Sequence, residues 1–395
     1  MLQCSVGVWI GIAVLISRRK ILQLSAGIPA MTSVLGQTSA AQGVGTDYDV
    51  IVLGAGVAGL AAAERLVSLD NDLKVLVLEA RDRIGGRVHS VARKDSTRDA
   101  ELGALSLRHP EKAGWPAIER LGLTVDRFAD GSLGLYPGMV ALVRALAESS
   151  TGRVQLDSEV REVFWRDGLV GVSYLNRGLS SAVTGRRLIV TLPPGVLRGG
   201  ALSFSPALPA SKVSALESLV MEPAISVALL FPHTAAKLRD DSQPWLFEDS
   251  TTRLRAFPGG PQGHVLLEAQ FRGDRASVLA QQPESLQLSL ALRAFTEAFD
   301  VLPMLGDASW TGAADWLADP YSLGAATQAA TVATHLEIGS SLWDTLFFAG
   351  EATADPQAVG TVHGAYESGE RVAREVAVSL DIELSGQEDP ILELL

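Results

Sequence analysis

The stretch that decides the fold is DYDVIVLGAGVAGLAAAERL, residues 47–66. Its Val- and Ile-rich first half, residues 48–53, predicts a buried strand of a parallel sheet. Gly54, Gly56 and Gly59 follow in GxGxxG spacing, and an Ala-rich helix begins directly after them. In this motif the glycines permit a tight turn, a close backbone approach to a pyrophosphate and close helix–strand packing, in that order. The stretch therefore predicts a dinucleotide bound at a helix N-terminus.

A second predicted strand, KVLVLEA at residues 74–80, supports the dinucleotide assignment. It ends in Glu79, which lies 20 residues after Gly59. An acid at this distance accepts hydrogen bonds from ribose hydroxyls, and its charge would repel a 2′-phosphate. The sequence therefore disfavours NADP.

The next stretch, EARDRIGGRVHS at residues 79–90, indicates which dinucleotide binds. Gly85 and Gly86 allow a second loop to close over an extended pyrophosphate, and the guanidinium of Arg87 can neutralise it. The stretch resembles the GGR element of the flavin-dependent amine oxidase family, which includes monoamine and polyamine oxidases, L-amino acid oxidases and flavin-type histone demethylases. The resemblance implies non-covalent FAD as the cofactor, with Arg81 among the residues that bind it.

Further segments resemble the family in the same order along the chain. The resemblance covers AELGALSL (100–107), LYPGMVALVRALAE (135–148), VQLDSEVREV (154–163), RLIVTLPPGVL (187–197), LSFSPALPASKVSAL (202–216) and DWLADPYSLGAAT (315–327). It implies that Val160 borders the adenine. In LFFAGEA and GTVHGAYESGERVA it implies that Gly350 and Glu351 reach the ribityl chain and pyrophosphate. A helix that starts near Thr361 and Val362 should then point at the pyrimidine end of the flavin.

The resemblance implies an α/β fold, in which a Rossmann-type FAD-binding domain is joined to a sheet-rich substrate domain. We expect a discontinuous FAD-binding domain at residues 47–105, 136–206 and 340–380. The substrate domain then takes residues 106–135 and 207–339, and residues 381–395 form an acidic tail. About 30 residues separate Ala104 from Gly138, where family members insert a helical subdomain that roofs the substrate. The chain is therefore predicted to be shortened, with an open cleft, a very small lid, or a roof from a partner subunit or a second copy.

Several positions that face the flavin in the family carry unusual residues here. Ser226 occupies the position of a lysine that is linked to flavin N5 through water. Ala326 and Thr361 replace the two aromatic rings that flank the substrate nitrogen. Ala325 replaces the cysteine through which monoamine oxidases attach FAD, which implies non-covalent binding.

The resemblance implies that the chain oxidises an amine by hydride transfer to flavin N5. The imine is hydrolysed, and O2 or another acceptor takes the electrons, with H2O2 as the product when the acceptor is O2. Arg108 lies near the place where L-amino acid oxidases present an arginine to the substrate carboxylate, and Trp316 is a second candidate substrate contact. An L-amino acid oxidase, a desaturase using another acceptor, and a non-catalytic or partner-dependent subunit remain alternatives.

Composition excludes other classes of function. The formal net charge is −12, and no block of basic residues follows residue 20, so nucleic acid is not expected as a partner. Cys4 is the only cysteine and the histidines are scattered, so we expect no metal site.

Residues 1–46 are typical of a targeting segment and linker. The stretch SRRKILQL contains Arg18 and Arg19 before an apolar run, and TSAAQG offers small residues for a peptidase. This pattern resembles a twin-arginine export signal, which predicts a periplasmic or cell-surface protein. The alternative is an uncleaved N-terminal membrane anchor.

Overall fold

The computed structural model describes residues 45–107, 116–150, 153–232, 244–258, 263–299 and 303–384. From Thr46 onward these residues belong to one compact unit. The predicted export segment, Arg108 and most of the predicted acidic tail lie outside the described residues. Within the described ranges, no helix is long and apolar enough to cross a membrane.

Strands and helices alternate along the first part of the chain, and strands dominate its middle. The strands are β1 (Tyr48–Leu53), β2 (Val75–Leu78), β3 (Ser90–Val91), β4 (Ala100–Glu101), β5 (Val125–Arg127), β6 (Leu133–Leu135), β7 (Arg153–Gln155), β8 (Ser158–Arg166), β9 (Leu169–Asn176), β10 (Leu179–Val190), β11 (Ser203–Ser205), β12 (Met221–Glu222), β13 (Ala224–Pro232), β14 (Trp245–Glu248), β15 (Thr252–Phe257), β16 (His264–Arg272), β17 (Trp310–Asp315), β18 (Ala326–Thr327) and β19 (Leu346–Phe348). The helices are α1 (Val57–Leu69), α2 (Pro116–Arg120), α3 (Val140–Ser149), α4 (Pro194–Arg198), α5 (Ala210–Ser218), α6 (Gly273–Ala280), α7 (Glu284–Phe299), α8 (Val332–Gly339) and α9 (Val362–Ser379), with 3₁₀ turns at Leu305–Asp307 and Glu351–Thr353.

The larger sheet has the order β11-β8-β9-β10-β1-β2-β7, and β19 pairs with β10. Strands β7, β2, β1, β10 and β19 run parallel, whereas β9 runs antiparallel to β8 and β10. Strand β1 lies between two parallel neighbours and is buried from Val50 to Leu53, as its apolar run predicts. The carboxyl ends of β1 and β2 therefore meet at one edge of the sheet, where α/β folds bind ligands.

Helices α1, α3 and α9 cover one face of this sheet. Helices α1 and α9 approach closely because small residues face each other. A Cβ added at Gly369 would lie 2.3 Å from the carbonyl oxygen of Ala58. Because α9 packs directly on α1, the N-termini of both helices stay near the ligand-binding edge.

The second sheet has the order β14-β15-β16-β13-β17 and is antiparallel. Residues alternate between the two faces along its interior strand β13. Ile225, Val227 and Leu229 pack against α6 and α7, which form a separate apolar core. Ala224 and Ser226 face the opposite way, toward the segment that follows β4. This second face carries an apolar cluster that includes Leu230 and Leu266, and its end near Ala224 forms one wall of the site.

Candidate active site

A cavity of about 520 Å³ lies between the edge of the larger sheet and the polar face of the second sheet. Its volume falls within the range of small-molecule sites. Residues from both sheets line it, together with Gly103–Ser106 from the segment after β4 and Pro320–Ser322 from the loop after β17. We call the side formed by the larger sheet the nucleotide wall, and the side formed by β12, β13, β15, β16 and residues 103–106 the substrate wall.

The nucleotide wall begins at the turn between β1 and α1. Gly54 has a φ of +101°, which a side chain rarely adopts. A Cβ at Gly59 would lie 2.0 Å from the carbonyl oxygen of Gly54, so only glycine lets the helix start this close to the strand. An added Cβ at Gly56 meets no heavy atom within 4 Å, and it would project into the space that a ligand needs.

Glu79 lies buried at the end of β2 beside this turn. One carboxylate oxygen accepts a hydrogen bond from the backbone N–H of Ala55 at 2.8 Å, and the other accepts from the N–H of Arg81 at 2.9 Å. Each carboxylate oxygen can accept a further hydrogen bond from a ribose hydroxyl. Two backbone N–H groups therefore hold the Glu79 carboxylate in place.

Arg81, predicted as a cofactor residue, lines the cavity and also joins two parts of the chain. Its guanidinium pairs with Asp319, donates to Ser322 Oγ at 3.0 Å and lies 5.3 Å from the centre of the Tyr321 ring. Its protein partners therefore fix the loop after β17 against the nucleotide wall, which the sequence did not indicate.

Arg87 and Glu351 form an ion pair on the wall of the cavity, with 2.7 Å between Nη1 and Oε1. Glu351 is buried and also accepts from Thr327 Oγ1 at 2.8 Å and from the N–H of Gly360 at 2.9 Å. Arg87 donates a second bond to the carbonyl oxygen of Ala325 at 3.0 Å. This network ties together the segment after β2, the loop after β17 and the loop before α9.

A second helix N-terminus reaches the cavity at α9. Thr361 caps this helix, because its Oγ1 accepts from the N–H of Gly364 at 3.0 Å and donates to Ala358 O at 2.6 Å. Thr361 and Val362 both line the cavity. The first turns of α1 and α9 therefore border the same space, which suits an elongated ligand with anionic parts.

The structure brings most of the predicted site residues together on the cavity wall. Those that line it are Gly54, Gly56, Glu79, Arg81, Gly85, Gly86, Arg87, Val160, Trp316, Ala326, Gly350, Glu351, Thr361 and Val362. Gly59 lies behind the wall, where the motif requires it for packing. Two helix N-termini, a buried acid at the ribose position and glycines where a Cβ would enter the cavity all fit FAD.

Ser226 differs from its predicted place. It is fully buried and is not among the residues that line the cavity. The antiparallel register sets it opposite Gln270 on β16, and the longer amide of Gln270 reaches the cavity instead. Gln270 Nε2 lies 3.5 Å from Ser226 Oγ and donates to Gly103 O at 3.1 Å. Among the described residues, the amide of Gln270 therefore faces the cavity at this point, where we expected the hydroxyl of Ser226.

Trp316, the other candidate substrate residue, is buried, and its indole N–H donates to Leu102 O at 2.9 Å. Its ring meets His89 edge to face at 6.5 Å between centroids. Burial, together with the cations of Arg83 and Arg81, lowers the pKa of His89 to about 4. The imidazole is therefore neutral at pH 7 and packs beside Trp316 without adding charge.

The substrate wall contains charged residues that sequence reasoning missed, namely Glu222, Arg253 and Arg272. The alternating pattern of the strands predicted a two-sided sheet. It did not indicate which side faces the cofactor, because strand register is set by pairing that the sequence does not display. The only sequence signal for these residues was a charged residue on the same face of the sheet as Ser226.

Behind the substrate wall, a buried polar network joins the second sheet to the small β3–β4 sheet and to the residue before α3. The N–H of Glu101 donates to Glu268 at 2.7 Å, and Glu268 pairs with Arg255. The carboxylate of Glu101 accepts from the N–H of Met139 at 2.6 Å and from Ser90 Oγ at 2.7 Å. Burial and the neighbouring charge of Glu268 raise the pKa of Glu101 to about 8.

No group of acid, histidine and cysteine side chains suited to a metal occurs among the described residues.

A GxGxxG turn between a parallel strand and a helix, facing an antiparallel sheet across a shared cavity, is typical of a dinucleotide-binding fold. The chain matches the family described as flavin containing amine oxidoreductase over residues 57–132 and 123–377. It belongs to this family, and its cofactor is FAD.

Curated relatives include a lysine-specific histone demethylase 1 homolog 2 from Arabidopsis thaliana, 27% identical over 84% of this chain and 59% of that protein. A probable polyamine oxidase 4 from the same plant is 42% identical over 22% of this chain and 17% of its own length. This chain therefore spans little more than half of the longer relative.

Solved structures support the same fold. A putrescine oxidase, in a redesign of its cofactor binding, has a TM-score of 0.68 at 16% identity, covering 84% of this chain and 99% of its own. Cyclohexylamine oxidase from Brevibacterium oxydans has a TM-score of 0.68 at 17% identity, covering 85% and 100%. At these identities the likeness establishes the fold alone.

Proposed function

We propose that this chain oxidises the C–N bond of a small amine or amino acid with non-covalently bound FAD. The observation that carries the proposal is the cavity itself. The nucleotide wall is formed by helix N-termini and glycines, and the facing wall is a polar sheet surface with space for a small molecule. Family membership makes an amine the expected substrate class.

When bound, FAD accepts a hydride from the carbon beside the amine nitrogen and later passes the electrons on. The chain's own residues hold and orient the reactants. Glu79 binds the ribose, and the first turns of α1 and α9 stabilise anionic parts of the cofactor. The Arg87–Glu351 pair keeps three loops closed around the cofactor. The imine product is hydrolysed by water.

We propose O2 as the electron acceptor, with H2O2 as the product. The family lysine is replaced by Ser226, and the amide of Gln270 supplies the polar group on this side of the cavity. Neither carries the positive charge of the lysine, so reoxidation by O2 should be slow. A desaturase that uses another acceptor would be reduced by substrate at a normal rate and would form no peroxide.

Anaerobic reduction of the flavin is the test. Purified, FAD-loaded chain is mixed with separate pools of monoamines, polyamines and amino acids while the absorbance near 450 nm is followed, and air is then admitted. We expect one pool to bleach the flavin and peroxide to form in air. Flavin that dithionite reduces but no pool reduces would instead identify a non-catalytic or partner-dependent subunit.

An L-amino acid oxidase is the second candidate. Arg108, the carboxylate-binding residue expected from the resemblance, lies outside the described residues. Arg253 and Arg272 line the substrate wall and offer guanidinium groups of the required kind. The amine and amino acid pools of the same experiment separate the two candidates.

We further propose twin-arginine export to the periplasm or cell surface, either with signal cleavage or with the N-terminus kept as an anchor. We also propose the discontinuous domain arrangement predicted above, with an open cleft that a partner subunit or second copy covers. Replacing Arg18 and Arg19 by lysine should retain the chain in the cytoplasm, which fractionation measures. Export of the double variant at the normal level would contradict the first proposal.

A further inference from the structure

A carboxylate on the substrate wall has no protein partner in the part of the chain that the structure describes. Glu222 ends β12 and lies opposite Ala326 in register. Its backbone carbonyl accepts from the N–H of Ala325 at 2.8 Å, so the backbone is fixed beside the flavin-face positions. The side chain lines the cavity and, among the described residues, joins no hydrogen bond or ion pair. A charge in this position is available to a ligand.

A guanidinium on the same wall is only partly satisfied. Arg272 ends β16, and its Nη2 donates to Glu248 Oε1 at 3.0 Å and to Asp249 O at 3.5 Å. Its Nε is buried and, within the described ranges, has no acceptor. The Arg272 side chain as a whole keeps 20% of its surface exposed and lines the cavity, so part of it remains open to a ligand.

The two charges are close along the fold and are not paired with each other. Arg272 lies opposite Ala224, two residues after Glu222, and the N–H of Gly273 donates to Pro223 O at 3.0 Å. No ion pair within 4.0 Å joins Glu222 to Arg272. The backbone therefore holds an anion and a cation apart on one surface.

The remaining charged residue of this wall is Arg253. Its guanidinium donates to Ser106 at 3.0 Å and to Asp130 at 2.6 Å, and its Nε lies 3.3 Å from Glu248. The wall thus presents two guanidiniums and one carboxylate to the cavity. Because Arg253 is already held by two carboxylates, Glu222 and Arg272 are the charged groups of this wall that remain to meet a ligand, and a zwitterion brings one charge of each sign to them.

We propose that Glu222 and Arg272 recognise a substrate that carries both an amino and a carboxylate group, as amino acids do. The ammonium group binds Glu222 beside Ala326, and the carboxylate binds Arg272, where a guanidinium can make paired hydrogen bonds. This inference rests on the proposed oxidation of the amino group, because it names the substrate class for that reaction.

Binding of matched compounds tests the proposal. Each set contains an amino acid, the amine without its carboxylate and the acid without its α-amino group. The sets are L-phenylalanine, 2-phenylethylamine and 3-phenylpropionate; and L-leucine, isopentylamine and 4-methylpentanoate. Dissociation constants are measured anaerobically by calorimetry on the full chain, loaded with FAD that dithionite has first reduced, so that no compound is oxidised during the titration. In the set that binds best, we expect the amino acid to bind at least about tenfold more tightly than its amine.

Charge-neutral variants then assign the two ends. Arg272→Gln should weaken binding of the amino acid and of the acid about tenfold or more, and leave the amine unchanged. Arg272→Lys should recover part of the loss. Glu222→Gln should weaken the amino acid and the amine, and leave the acid unchanged. The control is Arg275→Gln, because this guanidinium donates to Thr252 at 2.6 Å and lies outside the cavity.

The outcomes separate this inference from the proposed function. Amines that bind as tightly as amino acids in every set, an unchanged affinity of Arg272→Gln for the acids, or no binding in any set would overturn the inference. Amino acids that bind with the predicted variant pattern but never bleach the flavin would support the recognition pair and contradict oxidation. Amines that bleach the flavin, with both variants unaffected, would support oxidation and contradict the recognition pair.

Discussion

The two walls of the cavity present different groups to a ligand, backbone groups on the nucleotide wall and side chains on the substrate wall. The nucleotide wall uses the backbone, because its ligand groups are the N–H groups of two helix N-termini and the surface left open at glycines. The substrate wall uses side chains that rise from an antiparallel sheet, including Gln270 and Arg272. Backbone geometry is specified by short local motifs, whereas the side of the sheet on which a side chain lies depends on which strands pair.

This difference predicts that substitutions at the nucleotide wall will affect folding and FAD binding, and that substitutions at the substrate wall will affect selectivity. The following changes test that contrast, from the largest expected effect to the smallest.

Gly59→Ala should destabilise the protein most. The new Cβ would lie 2.0 Å from a backbone oxygen, which cannot move without breaking the turn at Gly54. We expect a loss of about 4 kcal/mol or more in the free energy of unfolding, measured by urea denaturation. Gly56→Ala is the matched control, because its Cβ meets no protein atom within 4 Å. It should unfold like the parent and bind FAD weakly, and equal stability losses in the two variants would contradict this account of the turn.

Glu351→Ala should cost about 3–5 kcal/mol, because it leaves the Arg87 guanidinium without its carboxylate in a mostly buried site. Denaturation of Glu351→Ala, Arg87→Ala and the double variant measures the coupling between them. We expect the double variant to lose less than the sum of the two single losses. Additive losses would show that the pair does not hold the loops together.

Glu79→Gln should lower FAD affinity about 10- to 100-fold, or roughly 1.4–2.8 kcal/mol. Both carboxylate oxygens accept backbone N–H groups, and an amide can satisfy only one of them. Quenching of flavin fluorescence during titration of the apoprotein gives the affinity. Lys74→Gln, at the exposed start of the same strand, serves as the control. A Glu79→Gln affinity equal to that of the control would exclude the ribose role.

Glu101→Gln should change the pH dependence of stability by a smaller amount. The pKa of Glu101 is about 8 in the folded chain, above the usual 4.5, so its folded form keeps a proton that the unfolded chain has lost. The stability it contributes is present below pH 4.5 and is lost as the pH rises toward 8. The parent should therefore lose stability relative to Glu101→Gln by about 1 kcal/mol or more between pH 5 and pH 8. Parallel pH profiles for the two proteins would contradict a proton held in the buried network.

The residues that the sequence assigned to the nucleotide wall lie together there, because each feature has a local cause. Gly54, Gly59 and Glu79 lie where strand, turn and helix geometry require them. The substrate wall was predicted poorly for the opposite reason. Ser226 was expected at the cavity, but the pairing of β13 with β16 puts Gln270 there. The contact of Arg81 with Asp319 joins positions more than two hundred residues apart, and no local pattern indicates it.

The release of FAD from the purified chain tests the central claim most directly. The protein is incubated with FAD, freed of excess, denatured by heat and filtered, and the flavin in the filtrate is measured by absorbance. The account predicts about one FAD per chain, all of it in the filtrate, because Ala325 offers no sulfur for attachment. A chain that stays colourless after incubation, or flavin that remains with the denatured protein, would contradict it.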